Sequence, residues 1–250
     1  MTVQGIDASR VQWAVAGAAA TESEALAALA TKPLLVLMHG FGSFEGDLIG
    51  LAPRLPRGFV FASPRAPLVA PPPIVNGFSW WPLEIGPDGM SVRTAPPAEF
   101  VGSGPHEAAT ALLNWLDELD ERVATLSDGT GLGKIAVMGF SQGGCMVTSL
   151  LRMRPERFVC GVNCSGFVAP GEFDDSALAA VRPPLFWGRD DADPIIGRDR
   201  IDETAEWSPR HTQLEEKLYE GIAHSISLEE LVDIDAFLRR HVPESDTVAS

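Results

Sequence analysis

A serine between two glycines is the strongest chemical signal in the sequence. Gly139-Phe140-Ser141-Gln142-Gly143 has the pattern G-x-S-x-G, with the apolar run KIAVM before it and a helical pattern after it. A serine at a tight strand-to-helix turn needs small neighbours, because larger side chains would clash with the adjoining elements. The first N–H groups of the helix can then stabilise an oxyanion. We predict that Ser141 is a nucleophile; the alternative is an ordinary glycine-rich turn.

A serine hydroxyl becomes reactive when a base removes its proton, so an imidazole should lie nearby. His224 follows a predicted strand at 211–219 and precedes the last predicted helix, in a loop that can reach over the nucleophile. The other four histidines lie at predicted helix ends, in a polar stretch or in an early loop: His106, His241, His211 and His39. His224 is therefore the predicted base, against the alternative of a solvent-facing loop histidine.

The third group should be a carboxylate that orients the imidazole. Asp190, Asp191 and Asp193 follow the apolar run PPLFW, and at least two of them are expected to be solvated acids in a turn. Asp193 precedes Pro194, which holds it in an extended conformation. We predict Asp193, with Asp190 as the alternative. The resulting order of Ser, Asp and His differs from the orders of the two common serine protease classes.

An acyl-transfer site also needs N–H donors for the oxyanion. The early apolar run ends in MHGFGS at 38–43, and we predict the amides of Phe41 and Gln142 as the donors. His39 is expected to brace this loop without transferring a proton. Neither glycine-rich nucleotide-binding pattern, GxGxxG or GxxxxGK[ST], is present, which disfavours nucleotide binding. Apolar residues near these motifs are candidates for an acyl pocket or for the core: Phe41, Phe78, Trp80, Trp81 and Met146.

Strands and helices must position these residues. Five uniformly apolar runs predict strands buried on both faces of a parallel sheet; they lie at 33–40, 58–64, 134–140, 157–166 and 183–191. Helical patterns cover 105–126, 143–156 and 227–242. The last of these opens with Ser227 as a cap and Glu230 three residues on. The alternation predicts a doubly wound α/β fold.

The length of the chain predicts its domain organisation. The 250 residues suit a single large domain spanning 1–250, with two small domains as the alternative. Residues 63–104 are rich in proline and glycine and carry Trp80 and Trp81. We predict a loop or small hairpin there, over the active-site end of the sheet.

The charge and composition of the chain predict which classes of molecule it does not bind. A formal charge of −15 disfavours nucleic acid and anionic membranes. No apolar segment is long enough to span a bilayer, and no basic leader opens the chain. Cys145, Cys160 and Cys164 lack the spacing of a zinc site, so we expect no metal. Three cysteines cannot all pair within the chain, and Cys160 and Cys164 lie in an apolar run, so we expect a reducing cytoplasm. No organic cofactor is expected, and the oligomeric state stays open.

Taken together, HGFGSFEGDL, GFSQGG, DADPII and GIAHSI resemble the phospholipase/carboxylesterase family of α/β-hydrolases, from about residue 33 to residue 240. Acyl-protein thioesterases and small bacterial carboxylesterases are members. The resemblance implies an α/β-hydrolase fold, with a mostly parallel central sheet and helices on both faces. It also implies Ser141, Asp193 and His224 as a triad, with the Phe41 and Gln142 amides as the oxyanion hole. A departure from the family is the run 189–192, which lengthens the connection from Gly188 to Asp193.

These expectations define a serine carboxylesterase that hydrolyses small or medium acyl esters through an acyl-enzyme. An acyl thioesterase or a lysophospholipase would use the same triad with a different pocket. A catalytically silent α/β-hydrolase that binds a ligand or a partner is the alternative from another class.

Overall fold

The computed structural model describes residues 5–84, 95–127 and 129–243. Ten strands occur in the described ranges: β1 Val11–Val15, β2 Ala18–Ala20, β3 Leu34–Met38, β4 Val60–Pro64, β5 Leu68–Val69, β6 Phe78–Ser79, β7 Ile135–Phe140, β8 Cys160–Cys164, β9 Pro184–Arg189 and β10 Gln213–Leu218. The α-helices there are α1 Glu22–Leu29, α2 Gly104–Leu126, α3 Gln142–Met153, α4 Ser176–Val181, α5 Arg198–His211 and α6 Leu228–His241. Short 3₁₀ turns cover Ala8–Arg10, Leu48–Arg54 and Pro155–Arg157.

The central sheet has eight strands in the order β10-β9-β8-β7-β3-β4-β1-β2. Pairing is parallel from β10 through β4, whereas β1 runs antiparallel to both of its neighbours. All five apolar runs form strands within their predicted ranges, and the strand predicted at 211–219 is β10. The carboxyl ends of the parallel strands meet at one edge, where loops from several strands can contribute to one site.

Two hydrophobic cores explain the uniformly apolar strands. In β3, Leu34, Val36 and Met38 pack on one face with α1, α2 and α3. Leu35 and Leu37 pack on the other face with α6 and the Leu48–Arg54 turn. Because both faces of the strand are covered, no polar residue alternates along it. The helices on both faces confirm the predicted layered α/β architecture.

The sequence patterns predict no element before residue 33, whereas the structure has a hairpin and a helix there. The β1–β2 hairpin turns at Ala16 and Gly17, which have φ of +52° and +82°. Two positive φ values are typical of the two-residue turn whose twist suits a hairpin. Helix α1 begins with Thr21 as its cap, and the side chain of Glu24 bonds back to the Thr21 backbone.

The predicted cap of α6 is half formed. Ser227 Oγ accepts a hydrogen bond of 3.0 Å from the Glu230 N–H. The Glu230 side chain makes no well-formed return hydrogen bond among the described residues; it is fully buried, near the Cys164 thiol and the Ser227 amide.

The 63–104 segment contains a small hairpin, β5–β6, and residues 85–94 of it lie outside the described residues. Within the described ranges, no helix is long and apolar enough to cross a membrane. That residues 1–250 form one domain stays a prediction.

Candidate active site

Ser141 lies in the turn between β7 and α3, and its backbone is unusual. Its φ of +55° and ψ of −114° fall in a region that residues with a Cβ rarely adopt. The flanking glycines are required by close packing: a Cβ on Gly139 would overlap the Gly143 carbonyl, and one on Gly143 would overlap the Met38 carbonyl. The Ser141 N–H donates a 2.9 Å hydrogen bond to the Cys164 carbonyl. The turn is thereby fixed to the end of the neighbouring strand β8.

Asp193 and His224 are in direct contact. The distance between Asp193 Oδ2 and His224 Nδ1 is 2.7 Å, although 31 positions separate the two residues. Asp193 Oδ1 accepts hydrogen bonds from the Ile195 and Ile196 amides, at 2.8 and 3.0 Å. Burial works against the charged carboxylate, but the hydrogen bonds from His224 and the two amides outweigh it and lower the pKa of Asp193. A charged Asp193 fixes the imidazole proton on Nδ1 and leaves Nε2 as an acceptor.

His224 is also close to the Ser141 turn. Its ring centroid lies 4.8 Å from that of Phe140, the residue before Ser141. The side chain of His224 is 15% exposed, against 1% for Asp193. The acid is thus buried behind the imidazole, which itself keeps an accessible edge.

Asp190, the alternative acid, makes different contacts. It accepts hydrogen bonds from the backbone amides of Ala192 and Ala223, at 2.9 and 2.8 Å. These N–H groups lower the pKa of Asp190. Of the two aspartates, Asp193 contacts the imidazole and Asp190 contacts the main chain beside it.

The 38–43 loop lies against Ser141. A Cβ on Gly40 would be 3.5 Å from the Ser141 Cβ. The loop is paired with the hairpin β5–β6, because the Gly42 N–H bonds the Phe78 carbonyl at 2.8 Å and the Phe78 N–H bonds the Ser43 carbonyl at 2.7 Å. No acceptor is found for the Phe41 amide among the described residues. The Gln142 amide opens α3, where N–H groups have no partner within the helix.

His39 is a buried brace. The Ala66 N–H donates to its Nε2 at 3.2 Å, so the ring proton must be on Nδ1, which bonds the Gly40 carbonyl at 2.8 Å. Burial lowers the pKa of His39 and favours the neutral ring. The indole N–H of Trp80 donates to the His39 carbonyl at 2.8 Å. These contacts agree with the predicted bracing role.

The side chain of Gln142 has a role that the sequence patterns do not indicate. Its Oε1 accepts the Trp80 N–H at 2.9 Å, and its Nε2 donates to the Trp81 carbonyl at 3.0 Å. The residue after Ser141 therefore holds the 80–81 segment against the start of α3. The signal for this role in the sequence is the amide side chain after Ser141. An amide carries its acceptor oxygen and its donor nitrogen on separate atoms, so it can bond an N–H and a carbonyl at the same time.

The sequence profile of the phospholipase/carboxylesterase family matches residues 107–242, more than half of the chain. The chain belongs to this family. Membership makes it a serine hydrolase, and it confirms the predicted enzyme class. Ser141, Asp193 and His224 all lie in the matched range.

Relatives named as esterases and thioesterases agree with this family. The chain is 27% identical over 231 residues to acyl-protein thioesterase 1 of Candida albicans, an alignment that covers 84% of this chain and 93% of that protein. It is 29% identical over 134 residues to a probable carboxylesterase of Oryza sativa subsp. japonica, covering 51% of this chain and 48% of that protein. The crystal structure of esterase PE8 superposes with a TM-score of 0.62 at 24% identity, over 85% of this chain and 94% of that one. The likeness confirms the α/β-hydrolase fold.

In this member of the family, most of the predicted pocket residues lie deep. Trp80, Trp81 and Met146 are buried in the core on the α3 side of the sheet. Phe78 is partly exposed, and the Arg65 guanidinium lies 4.2 Å from its ring centroid. A pocket role for these residues stays a prediction. Among the described residues, no three His, Cys, Asp or Glu side chains cluster as a metal site would require.

Proposed function

We propose that this serine hydrolase is a carboxylesterase that cleaves small or medium acyl esters, with Ser141 as nucleophile, His224 as base and Asp193 as the orienting acid. The 2.7 Å contact between His224 Nδ1 and Asp193 Oδ2, beside the strained Ser141 turn, carries the proposal. An imidazole whose Nδ1 proton is bonded to a buried carboxylate has the tautomer that a general base requires.

The first step is acylation. His224 Nε2 takes the Ser141 proton as the hydroxyl oxygen attacks the ester carbonyl carbon. The negative charge that forms on the carbonyl oxygen is stabilised by the Phe41 and Gln142 amides and by the N-terminus of α3. Collapse of the tetrahedral intermediate breaks the bond to the leaving group, which receives the proton from His224 as an alcohol.

The second step repeats the chemistry with water. His224 removes a proton from a water molecule, whose oxygen attacks the acyl-enzyme carbonyl. The second tetrahedral intermediate collapses to a carboxylic acid, and the Ser141 oxygen regains its proton from His224. In this scheme His224 accepts and returns every proton that is transferred. The substrate is a small molecule.

Thioester cleavage is the second candidate, favoured by the alignment with a protein named acyl-protein thioesterase over most of both chains. The same residues would act, with a thiol as the leaving group. Lysophospholipid cleavage would also use this triad. A cytoplasmic location and the absence of nucleic-acid partners remain predictions from composition.

The test is hydrolysis of p-nitrophenyl esters from acetate to palmitate, with wild type and Ser141→Ala compared. We expect wild type to cleave, with a chain-length optimum that reports the pocket size, and Ser141→Ala to lose at least about 10⁴-fold in kcat. Retention of activity in Ser141→Ala would refute the assignment of the nucleophile.

A second measurement separates the alternatives. A fluorophosphonate should label wild type at Ser141 and leave Ser141→Ala unlabelled. Labelling with faster cleavage of acyl thioesters than of matched esters would favour the thioesterase. A folded wild type that neither cleaves nor labels would favour the silent binder.

A further inference from the structure

Asp190 joins two loops beside the candidate site. It directly follows β9, and 4% of its surface is exposed. One carboxylate oxygen accepts the Ala192 N–H within its own loop, and the other accepts the Ala223 N–H, 33 positions away. Because these amides lower its pKa, the group is a carboxylate at neutral pH. The loop after β9 is thereby bonded to the residue immediately before His224.

The backbone of Ala223 needs such support. Its φ is +56°, in the left-handed region that is unfavourable for a residue with a Cβ. A strained conformation of this kind persists only where the surroundings hold it in place. A charged Asp190 oxygen accepts the Ala223 N–H at 2.8 Å, and the Gly221 and Ile222 amides also interact with this carboxylate and lower its pKa. The main chain that leads into His224 is therefore bonded to Asp190.

Asp190 and Asp193 therefore hold the same histidine at two different points. Asp193 contacts the imidazole, and its own position is set by the Ile195 and Ile196 amides. The bond to Nδ1 and the contact with the Phe140 ring act on the imidazole and not on the main chain of its loop. Anchoring the main chain as well restricts the ring to one position, which acyl transfer demands because an error of about 1 Å can cost roughly 10²-fold in rate.

We propose that Asp190 is a positioning residue of the reaction, which holds His224 in place through the Ala223 amide. This inference rests on the proposed function, and it gives the alternative acid of the 188–196 loop a role of its own. Asp190 touches neither the imidazole nor the acyl group; it acts through the main chain of the His224 loop.

The first test compares ester hydrolysis by Asp190→Ala, Asp190→Asn and Asp191→Asn. Asp190→Ala removes both acceptors, and we expect kcat to fall by roughly 10- to 10²-fold with little change in KM. Asp190→Asn keeps one acceptor oxygen and should recover part of the loss. Asp191 is exposed and pairs with Arg189 and Arg198, so Asp191→Asn is the matched control and should behave as wild type. A folded Asp190→Ala with wild-type kcat would overturn the proposal.

The second test is a double-mutant cycle with Asp193→Ala. If both aspartates act through His224, Asp190→Ala should cost little further activity once Asp193 is gone, because residues that act as a unit are not additive. Independent, additive losses would mean that Asp190 acts elsewhere and would refute the role.

A third measurement tests the proposal even if Asp190→Ala does not fold or no ester is hydrolysed. In wild type, the Ala223 amide should be protected from hydrogen exchange and the His224 Nδ1 proton should give a downfield NMR resonance. In Asp190→Asn, both should weaken. An unprotected Ala223 amide in wild type would overturn the inference directly. Absence of hydrolysis and of fluorophosphonate labelling, with both signals intact, would refute only the proposed function.

Discussion

Two aspartates three positions apart in the loop after β9 contact the same distant loop in different ways. Both follow an apolar strand in the sequence, and both are charged, so their residue types cannot separate them. What separates them is which carboxylate turns toward Ala223 and which toward His224, and these partners lie more than 30 positions away. The sequence therefore predicts a carboxylate in this loop and favours Asp193 through Pro194. Which aspartate contacts Ala223 and which contacts His224 can be determined only from the structure.

The role of Asp193 is tested by Asp193→Asn. The amide nitrogen of asparagine can donate to Nδ1, which favours the wrong imidazole tautomer, and its oxygen carries no charge to stabilise the imidazolium. We expect kcat to fall by about 10⁴-fold while the fold is kept. The measurement is steady-state kinetics on the best p-nitrophenyl ester, with circular dichroism for the fold.

Asp199→Asn is the control for that variant, since Asp199 is an exposed acid in the first turn of α5. It should leave kcat unchanged. If Asp193→Asn lost less activity than Asp190→Ala, the two roles would have to be exchanged.

At the scale of the elements, the patterns miss helix α5, whose buried face is mostly small and polar, and the β1–β2 hairpin. Helix α5 buries Ile201, Thr204 and Ser208, so no apolar stripe marks it in the sequence. Thr204 Oγ1 instead accepts the Val168 N–H at 2.9 Å. The β1–β2 hairpin is alanine-rich, and alanine favours helices over strands. Its pairing with β4 prevails over that preference.

Contact between the hairpin β5–β6 and the 38–43 loop gives a prediction at this scale. A Cβ on Gly77 would overlap the Gly42 carbonyl oxygen, so Gly77→Ala must push the hairpin and the loop apart. The Phe41 amide would move with the loop, and we expect kcat to fall by roughly 10- to 10²-fold. Steady-state kinetics and the midpoint of urea unfolding measure the two consequences of this variant.

Gly50→Ala is the matched control, because a Cβ there meets no atom within 4 Å. It should change neither activity nor stability appreciably. Wild-type kcat in a folded Gly77→Ala would show that the hairpin does not position the oxyanion donors.

The first turn of α6 predicts a pH-dependent stability. Burial raises the pKa of Glu230 from its ordinary 4.5 to about 7; the Cys164 thiol and the Ser227 amide lower it by less than burial raises it, and the charge of Asp233 adds slightly to the rise. Ionising the buried Glu230 carboxyl lowers the free energy of unfolding. The loss is absent below about pH 4.5, grows between pH 4.5 and 7, and is complete above pH 7. Glu230→Gln should therefore stabilise the protein by about 3 kcal/mol at pH 8 and by little at pH 4.

Urea unfolding of wild type and Glu230→Gln at both pH values is the measurement. Glu229→Gln is the control, since Glu229 is the exposed neighbour of Glu230 in the same turn. It should show no such difference. Equal stabilisation by Glu230→Gln at pH 4 and pH 8 would exclude a buried, titrating Glu230.

At the scale of the whole molecule, the uniformly apolar runs, their alternation with helices and the four motifs were enough to predict the five central parallel strands, the layers and the family, but not the β1–β2 hairpin at one edge of the sheet. A parallel sheet buried on both faces leaves this pattern because each strand must be apolar throughout. What the patterns do not contain is the packing of the loops at the carboxyl edge. Trp80 and Trp81 illustrate this, because the main chain that carries them is hydrogen-bonded to Gln142, about 60 positions away.

The packing of β8 and α3 in the core also determines how the cysteines should react. All three are fully buried, and burial raises the pKa of Cys145 and of Cys160 to about 12 and raises that of Cys164 as well. Because the thiolate is the reactive form, native protein at pH 8 should not react with an aromatic disulfide reagent, and ester hydrolysis should survive the treatment. Unfolding in urea should release three reactive thiols. A fluorophosphonate should abolish hydrolysis under the same native conditions, so loss of activity on thiol modification alone would point to a cysteine and away from Ser141.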